Sequence, residues 1–194
     1  MKRLLALLPL VLAATFLAAS PAAADDRRCD GAIGATHVDG NVIVPNGATC
    51  TLRGTRVDGN VLVRDDATLV ARGVKVGGNI QADDHRRVLV TVRKVDDRTV
   101  RSRVAGDIQV ENGGRATVLR AEIGGNLQSK QNGGEQVARR NTIDGDLQAF
   151  SNRGGVRIHG NTIDGNLQCK SNDPAPVGDD NKVSGNKENQ CRGF

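Results

Sequence analysis

VDGNVIV (38–44), VDGNVLV (57–63), VGGNIQA (76–82), VAGDIQV (104–110), IGGNLQS (123–129), IDGDLQA (143–149), IDGNLQC (163–169) and a degraded VSGNKEN (183–189) are one motif written eight times. Its glycines are Gly40, Gly59, Gly78, Gly106, Gly125, Gly145, Gly165 and Gly185, and they are spaced 19, 19, 28, 19, 20, 20 and 20 residues apart. Each copy holds an apolar residue, a bend at x-Gly-Asn/Asp, and then an alternating apolar/polar run. Alternation is the period of a strand, and glycine supplies the backbone freedom for a sharp corner. No stretch after residue 24 carries a convincing helical period. A strand–turn unit of 19–20 residues that cannot bury its own apolar face must stack on its neighbours. The prediction is an all-β chain folded as a single-stranded parallel β-helix solenoid, one coil per repeat and about eight coils.

The stacked columns follow from the alignment. Val38, Val57, Val76, Val104, Ile123, Ile143, Ile163 and Val183 are expected to point inward before the corner. Val42, Val61, Ile80, Ile108, Leu127, Leu147 and Leu167 are expected to do so after it. The Asn or Asp that follows each glycine forms a third column, from Asn41 and Asn60 to Asn166 and Asn186, with side-chain amides bonding along the axis. A second corner is marked by Asn46, Asp65, Asp84, Asn112, Asn132, Asn152 and Asn172. On this alignment the extra residue of the 20-residue coils lies just before that corner. Seven steps of about 4.8 Å give a rod of roughly 35 Å.

A stack has two open ends, and both look managed. The last motif places Lys187 at the inward position and adds Glu188, a polar end coil. Four cysteines, Cys29, Cys50, Cys169 and Cys191, fall near the two ends at spacings of 21 and 22. Three pairings are open to four cysteines, and two staples, Cys29–Cys50 and Cys169–Cys191, would tie down the end coils. Residues 1–24 read as a cleaved signal peptide: Lys2 and Arg3, the apolar run 4–19, and Ala22-Ala23-Ala24 before Asp25. The mature chain, 25–194, is then secreted or cell-wall associated and has no further segment apolar enough to cross a membrane.

Composition narrows the function classes. Three Phe, with no Trp or Tyr, argue against binding that depends on stacking of sugars or single-stranded nucleic acid. Removing residues 1–24 leaves 25 basic and 22 acidic residues, a net of +3. Inside the long spacing between Gly78 and Gly106, residues 86–103 hold Arg86, Arg87, Arg93, Lys94, Arg98, Arg101 and Arg103 against Asp96 and Asp97, a net of +5. Outside this segment the rod would carry −2. One reading is a longer coil whose Val88, Val90 and Val92 enter the core beneath solvated arginines. The other is a docking patch for an anionic polymer, because insertions in solenoids map to the working face.

Chemistry is sparse. Asp39, Asp58, Asp144 and Asp164 precede motif glycines and Asp146 follows one, so stacked carboxylates would serve either corner geometry or acid–base work. His37, His85 and His159 fall at unrelated coil positions and read as surface residues. No catalytic set, metal cluster or cofactor motif emerges, and nothing calls for a specific nucleic acid. Gln81, Gln109, Gln128, Gln148 and Gln168 form an outward row of identical amides, suited to the outer face or to an extended glycan.

The strings VDGNVIV, VGGNIQA and IDGNLQC at this period resemble small secreted β-helix proteins of unknown function from actinobacteria, across essentially the whole mature chain. More distantly they are similar to bactofilins, cytoskeletal proteins whose right-handed β-helix polymerises end to end. That likeness implies a right-handed helix and self-association. The polar last coil and end staples argue against filaments. The expectation is an exported, non-catalytic structural or binding protein of the cell envelope or medium, docking an anionic wall or surface polymer through 86–103. The alternatives are a self-assembling bactofilin-like scaffold and a polysaccharide-active enzyme using Asp144, Asp146 and Asp164.

Overall fold

A computed structural model describes residues 25–194. The expected leader, 1–24, lies outside the described residues. The chain is all-β and winds as a parallel solenoid of about eight turns with three faces. The first face has nine strands, from Arg27–Arg28 and Val42–Val44 at one end to Leu167–Lys170 and Lys187–Asn189 at the other. The second has eight, from Gly31–Ile33 and Thr49–Arg53 to Val156–His159 and Val177–Asp179. The third has eight two-residue strands, from His37–Val38 to Lys182–Val183. Among the described residues there is no helix long and apolar enough to cross a membrane.

The columns stack as the alternation requires. Val42 pairs with Val61, Val61 with Ile80, Ile80 with Ile108, and so on to Leu167 beside Lys187. On the short third face Val38, Val57, Val76, Val104, Ile123, Ile143 and Ile163 are buried in one contiguous core. The second face adds Leu52, Leu69, Val88, Val90 and Ile158. Each buried branched side chain contributes roughly 1.5–3 kcal/mol relative to exposure.

The corner after each motif glycine is held by a polar ladder, but not through amide–amide bonds alone. The Asn41 side-chain oxygen accepts the backbone N–H of Asn60 at 2.7 Å, and Asn60 accepts that of Asn79 at 2.8 Å. The pattern continues through Asp107 to Asn126 and Asp146 to Asn166. A carboxylate oxygen accepts as well as an amide oxygen, which is why Asp replaces Asn in this column.

The second corner corrects the alignment. Asn46 and Asp65 sit in turns closed by Ala48 N–H to Pro45 O and Ala67 N–H to Arg64 O. The left-handed residues of the later coils are Asp84, Asn112, Gln131, Ser151 and Ser171, with φ between 50° and 56°. Asn132, Asn152 and Asn172 come one residue later and turn inward, fully or almost fully buried. The extra residue of the longer coils therefore lies inside the corner, after the left-handed residue. Asn132 donates its backbone N–H and its amide to Asn152 Oδ1 at 3.1 and 3.0 Å, and Asn152 does the same to Asn172. Gln190 supplies the final rung by accepting the Asn172 N–H at 2.9 Å. A further buried ladder, Asn141–Asn161–Asn181, runs at the corner between the second and third faces.

Both ends are stapled. Cys29 pairs with Cys50 and Cys169 with Cys191, at Cα–Cα distances of 5.4 and 5.3 Å. Two disulfides are consistent with an extracellular protein. At the far end Lys187 Nζ donates to the Phe194 carbonyl, and the Phe194 ring lies against Gly178.

Candidate functional site

The long repeat is an ordinary coil carrying an inserted hairpin. Val88 and Val90 enter the core, while Val92 is only half-buried and begins the insertion. The expectation that Val92 joins the core is therefore corrected. Strands Arg93–Val95 and Arg98–Val100 pair antiparallel around a turn in which Asp96 has φ 49°. Arg93 leans toward the N-terminal coils, where a Cβ on Gly54 or Gly73 would collide with it, and its Nη1 reaches Arg53 O at 3.5 Å. Arg101 leans the other way and donates to Arg120 O, Ala121 O and Thr142 Oγ1 at 3.0, 3.2 and 3.3 Å. The hairpin thus straddles the corner between the second and third faces.

Along this corner the left-handed positions are Gly54 and Gly73 before the hairpin, then Arg120 (φ 51°), Arg140 (φ 55°), Gly160 and Asp180 (φ 54°). The left-handed conformation costs an ordinary L-residue roughly 1–2 kcal/mol, and glycine avoids it. Arg101, Arg120 and Arg140 line a hollow of 330 Å³ with Val92 and Thr99 of the hairpin region. Arg120 and Arg140 are exposed, and among the described residues no carboxylate lies within ion-pair distance of either. Arg53 and Arg72 stack in register at the edge of the second face, and Arg139 lies further along the same edge.

The seven basic residues of 86–103 do not form one cluster. Arg86 sits at a different corner, held by Asp66 through two hydrogen bonds of 2.9 and 2.7 Å. That hydrogen bonding lowers the Asp66 carboxyl below its usual value. Arg87 points outward at the start of a second-face strand. Lys94 and Arg98 are exposed on the hairpin. Arg103, on the third face, is paired with Glu122. Only Arg93, Lys94, Arg98 and Arg101 belong to the hairpin corner, and the coil period adds Arg53, Arg72, Arg120, Arg139 and Arg140.

The third face carries an open groove of 690 Å³ above Gly77, Ala105 and Gly124, with Lys75, Arg101 and Arg103 on its wall and Asp58 and Asp144 among its lining residues. Asp144 and Asp164 stand on adjacent coils of this face, following Thr142 and Thr162 in register. Asp146 does not join them, because its Oδ1 accepts the Asn166 N–H at 2.7 Å.

Of the three histidines only His85 departs from the surface reading. His37 Nε2 lies 2.8 Å from Asp58 and Nδ1 lies 3.5 Å from Asp39. The three side chains offer donor atoms within 4.8 Å of one another, a grouping that their sequence positions do not suggest. Asp58 is also bound by Arg56 at 3.0 Å, and its pKa is lowered mainly by the His37 hydrogen bond. His85 is 2 % exposed and points into the core. His159 Nδ1 lies 2.6 Å from Asp179.

The glutamine row is continuous: Gln81, Gln109, Gln128, Gln148 and Gln168 pair in register from coil to coil. Gln148 donates to Gln168 at 2.8 Å, and Gln168 donates to Glu188 at 3.1 Å. In comparisons with protein-family models, with curated proteins and with solved structures, nothing matches this chain.

Proposed function

We propose that this is an exported, non-catalytic binding module of the cell envelope or medium, which docks an anionic wall or surface polymer along the arginine corner. The observation that carries this reading is the Arg101–Arg120–Arg140 column. Three arginines stand at equivalent positions of successive coils. Arg101 is tied to backbone carbonyls and lies 3.4 Å from Glu122, while Arg120 and Arg140 occupy left-handed backbone positions that Gly54, Gly73, Gly160 and Asp180 fill in other coils. Retaining arginine at such a position is the pattern of a functional site that accepts local strain. Cations repeating at the coil spacing of about 4.8 Å suit a polymer with regularly spaced negative charges.

The test is a titration of the oxidised protein with polyanions bearing phosphate or carboxylate groups, at about 50 and 200 mM salt. Binding should weaken steeply as salt rises and should fall in an Arg120→Gly/Arg140→Gly variant. Salt-independent binding, or binding unchanged in that variant, overturns the reading. Export is checked by the mass of the secreted protein, which should begin at Asp25.

The enzyme alternative draws on Asp144, which lines the large groove one coil from Asp164. It requires new reducing or unsaturated ends in a polysaccharide panel, lost with Asp144→Asn. A bactofilin-like scaffold requires mass that grows with concentration in light scattering.

A further inference from the structure

On the first face every second side chain points inward, so two outward columns border an axial trough. One wall is the glutamine row. The other is formed by the register-paired residues Asp83, Glu111, Lys130, Phe150 and Lys170. Two hollows of 250 and 220 Å³ lie end to end along it and share Glu111. Phe150 lines the second hollow beside Gln128 and Gln148, so one of the chain's three phenylalanines stands half-buried on the outer surface.

We propose that this trough binds an uncharged, extended polysaccharide of β-linked pyranoses lying parallel to the solenoid axis. The amides recur at about 4.8 Å, close to the advance of such a chain per sugar ring. Each amide offers both a donor and an acceptor to ring hydroxyls. Asp83 and Glu111 accept hydroxyl protons, and Lys130 and Lys170 balance their charge, so the wall lacks the unbalanced cations of the arginine corner. Phe150 supplies an apolar ring face for one sugar between Lys130 and Lys170. Gln128 is the central amide: the hydrogen bonds seen within the row join Gln81 to Gln109 and Gln148 to Gln168, on either side of it.

The experiment is a titration of the oxidised protein with linear β-1,4-linked glucose and N-acetylglucosamine hexamers at about 50 and 500 mM salt, followed by amide and side-chain NMR shifts. The expected result is binding of at least one hexamer that does not respond to salt, with shifts in the Gln109, Gln128 and Gln148 side-chain amides. Gln128→Ala and Phe150→Ala should each weaken it at least tenfold, while Arg120→Gly/Arg140→Gly leaves it unchanged. All of these side chains face outward, so folding is checked by unchanged backbone shifts elsewhere. Absence of binding by both hexamers, or binding unaffected by both single variants, overturns the proposal. A parent protein that binds a hexamer but no polyanion would sink the corner reading alone.

Discussion

The His85 ring stands so close above Gly113 that a Cβ on the glycine would come within 2.3 Å of Nδ1. The pair occupies the inward corner position that Asn132, Asn152 and Asn172 take in later coils. Neither ring nitrogen has a hydrogen-bond partner. Gly113 is needed for space rather than for a left-handed backbone. The core column thus changes, over two coils, from an apolar packing position to a hydrogen-bonded one.

Burial lowers the His85 pKa below 6.5, opposed by the charges of Asp83 and Asp84 and by the nearby carbonyls of Glu111 and Ala82. The unfolded chain therefore binds the proton more readily than the folded one. Stability contributed by neutral His85 should be complete above about pH 6.5 and decline as pH falls below it. Thermal melts between pH 8 and 4.5 should show this decline, and His85→Leu should flatten it. An unchanged pH profile in that variant would remove His85 as the cause. Gly113→Ala should destabilise at every pH by about 1–3 kcal/mol, because the ring has no free space to enter.

The buried asparagine ladder should be far less forgiving than the outer one. Asn152→Ala removes the acceptor for two Asn132 donors and a donor to Ser129 O, all in the core. A loss of about 3–4 kcal/mol in denaturant unfolding is expected, since each orphaned buried group costs about 1–3 kcal/mol. Asp146→Asn keeps the acceptor that holds the Asn166 N–H and should stay within about 0.5 kcal/mol of the parent.

Arg120→Gly/Arg140→Gly separates stability from binding. Both backbones have φ near 50°. Glycine should hold or raise the melting temperature, with up to about 1 kcal/mol gained per site after its greater unfolded-state freedom is counted. Polyanion affinity should fall in the same protein. A fall in both properties would mean that the arginines act as structural contacts.

The two staples should act locally. Each closes a loop of 21 or 22 residues and should contribute about 3 kcal/mol. In Cys29→Ser/Cys50→Ser, hydrogen exchange should rise first in Gly31–Ile33 and Val42–Val44, with central strands such as Ile108–Glu111 protected. Uniform loss of protection would show that the stack unfolds as one unit rather than fraying from its ends.

Much of this architecture was legible in the chain. The motif period placed the two inward columns that flank the glycine corner and the outward glutamines, and the cysteine positions offered the two end staples among three open pairings. Less legible were the polar interiors: Asn132 was visible as a corner residue, but nothing marks it as inward, since a buried amide breaks the apolar/polar alternation from which burial is inferred. His85 misled for the same reason. The arginine corner left a signal that contiguous charge counting passes over. Arg101, Arg120 and Arg140 are spaced by 19 and 20, the coil period itself. Summing charge along 86–103 instead joined Arg86 and Arg103 to residues that lie elsewhere on the rod.

The sequence by itself determined the coil, its count of repeats and the inward columns on either side of the glycine corner, because period-two alternation and a recurring glycine are local properties of the chain. Only the tertiary structure decided where the extra residue of the longer coils goes, that the insertion stands out as a hairpin, and which charges share a surface. Those outcomes depend on stacking, which sets residues 19–20 apart in the chain within a coil spacing of about 4.8 Å of each other. They also depend on the backbone angle at single corner residues, where a shift of one position turns an exposed polar group into a buried rung.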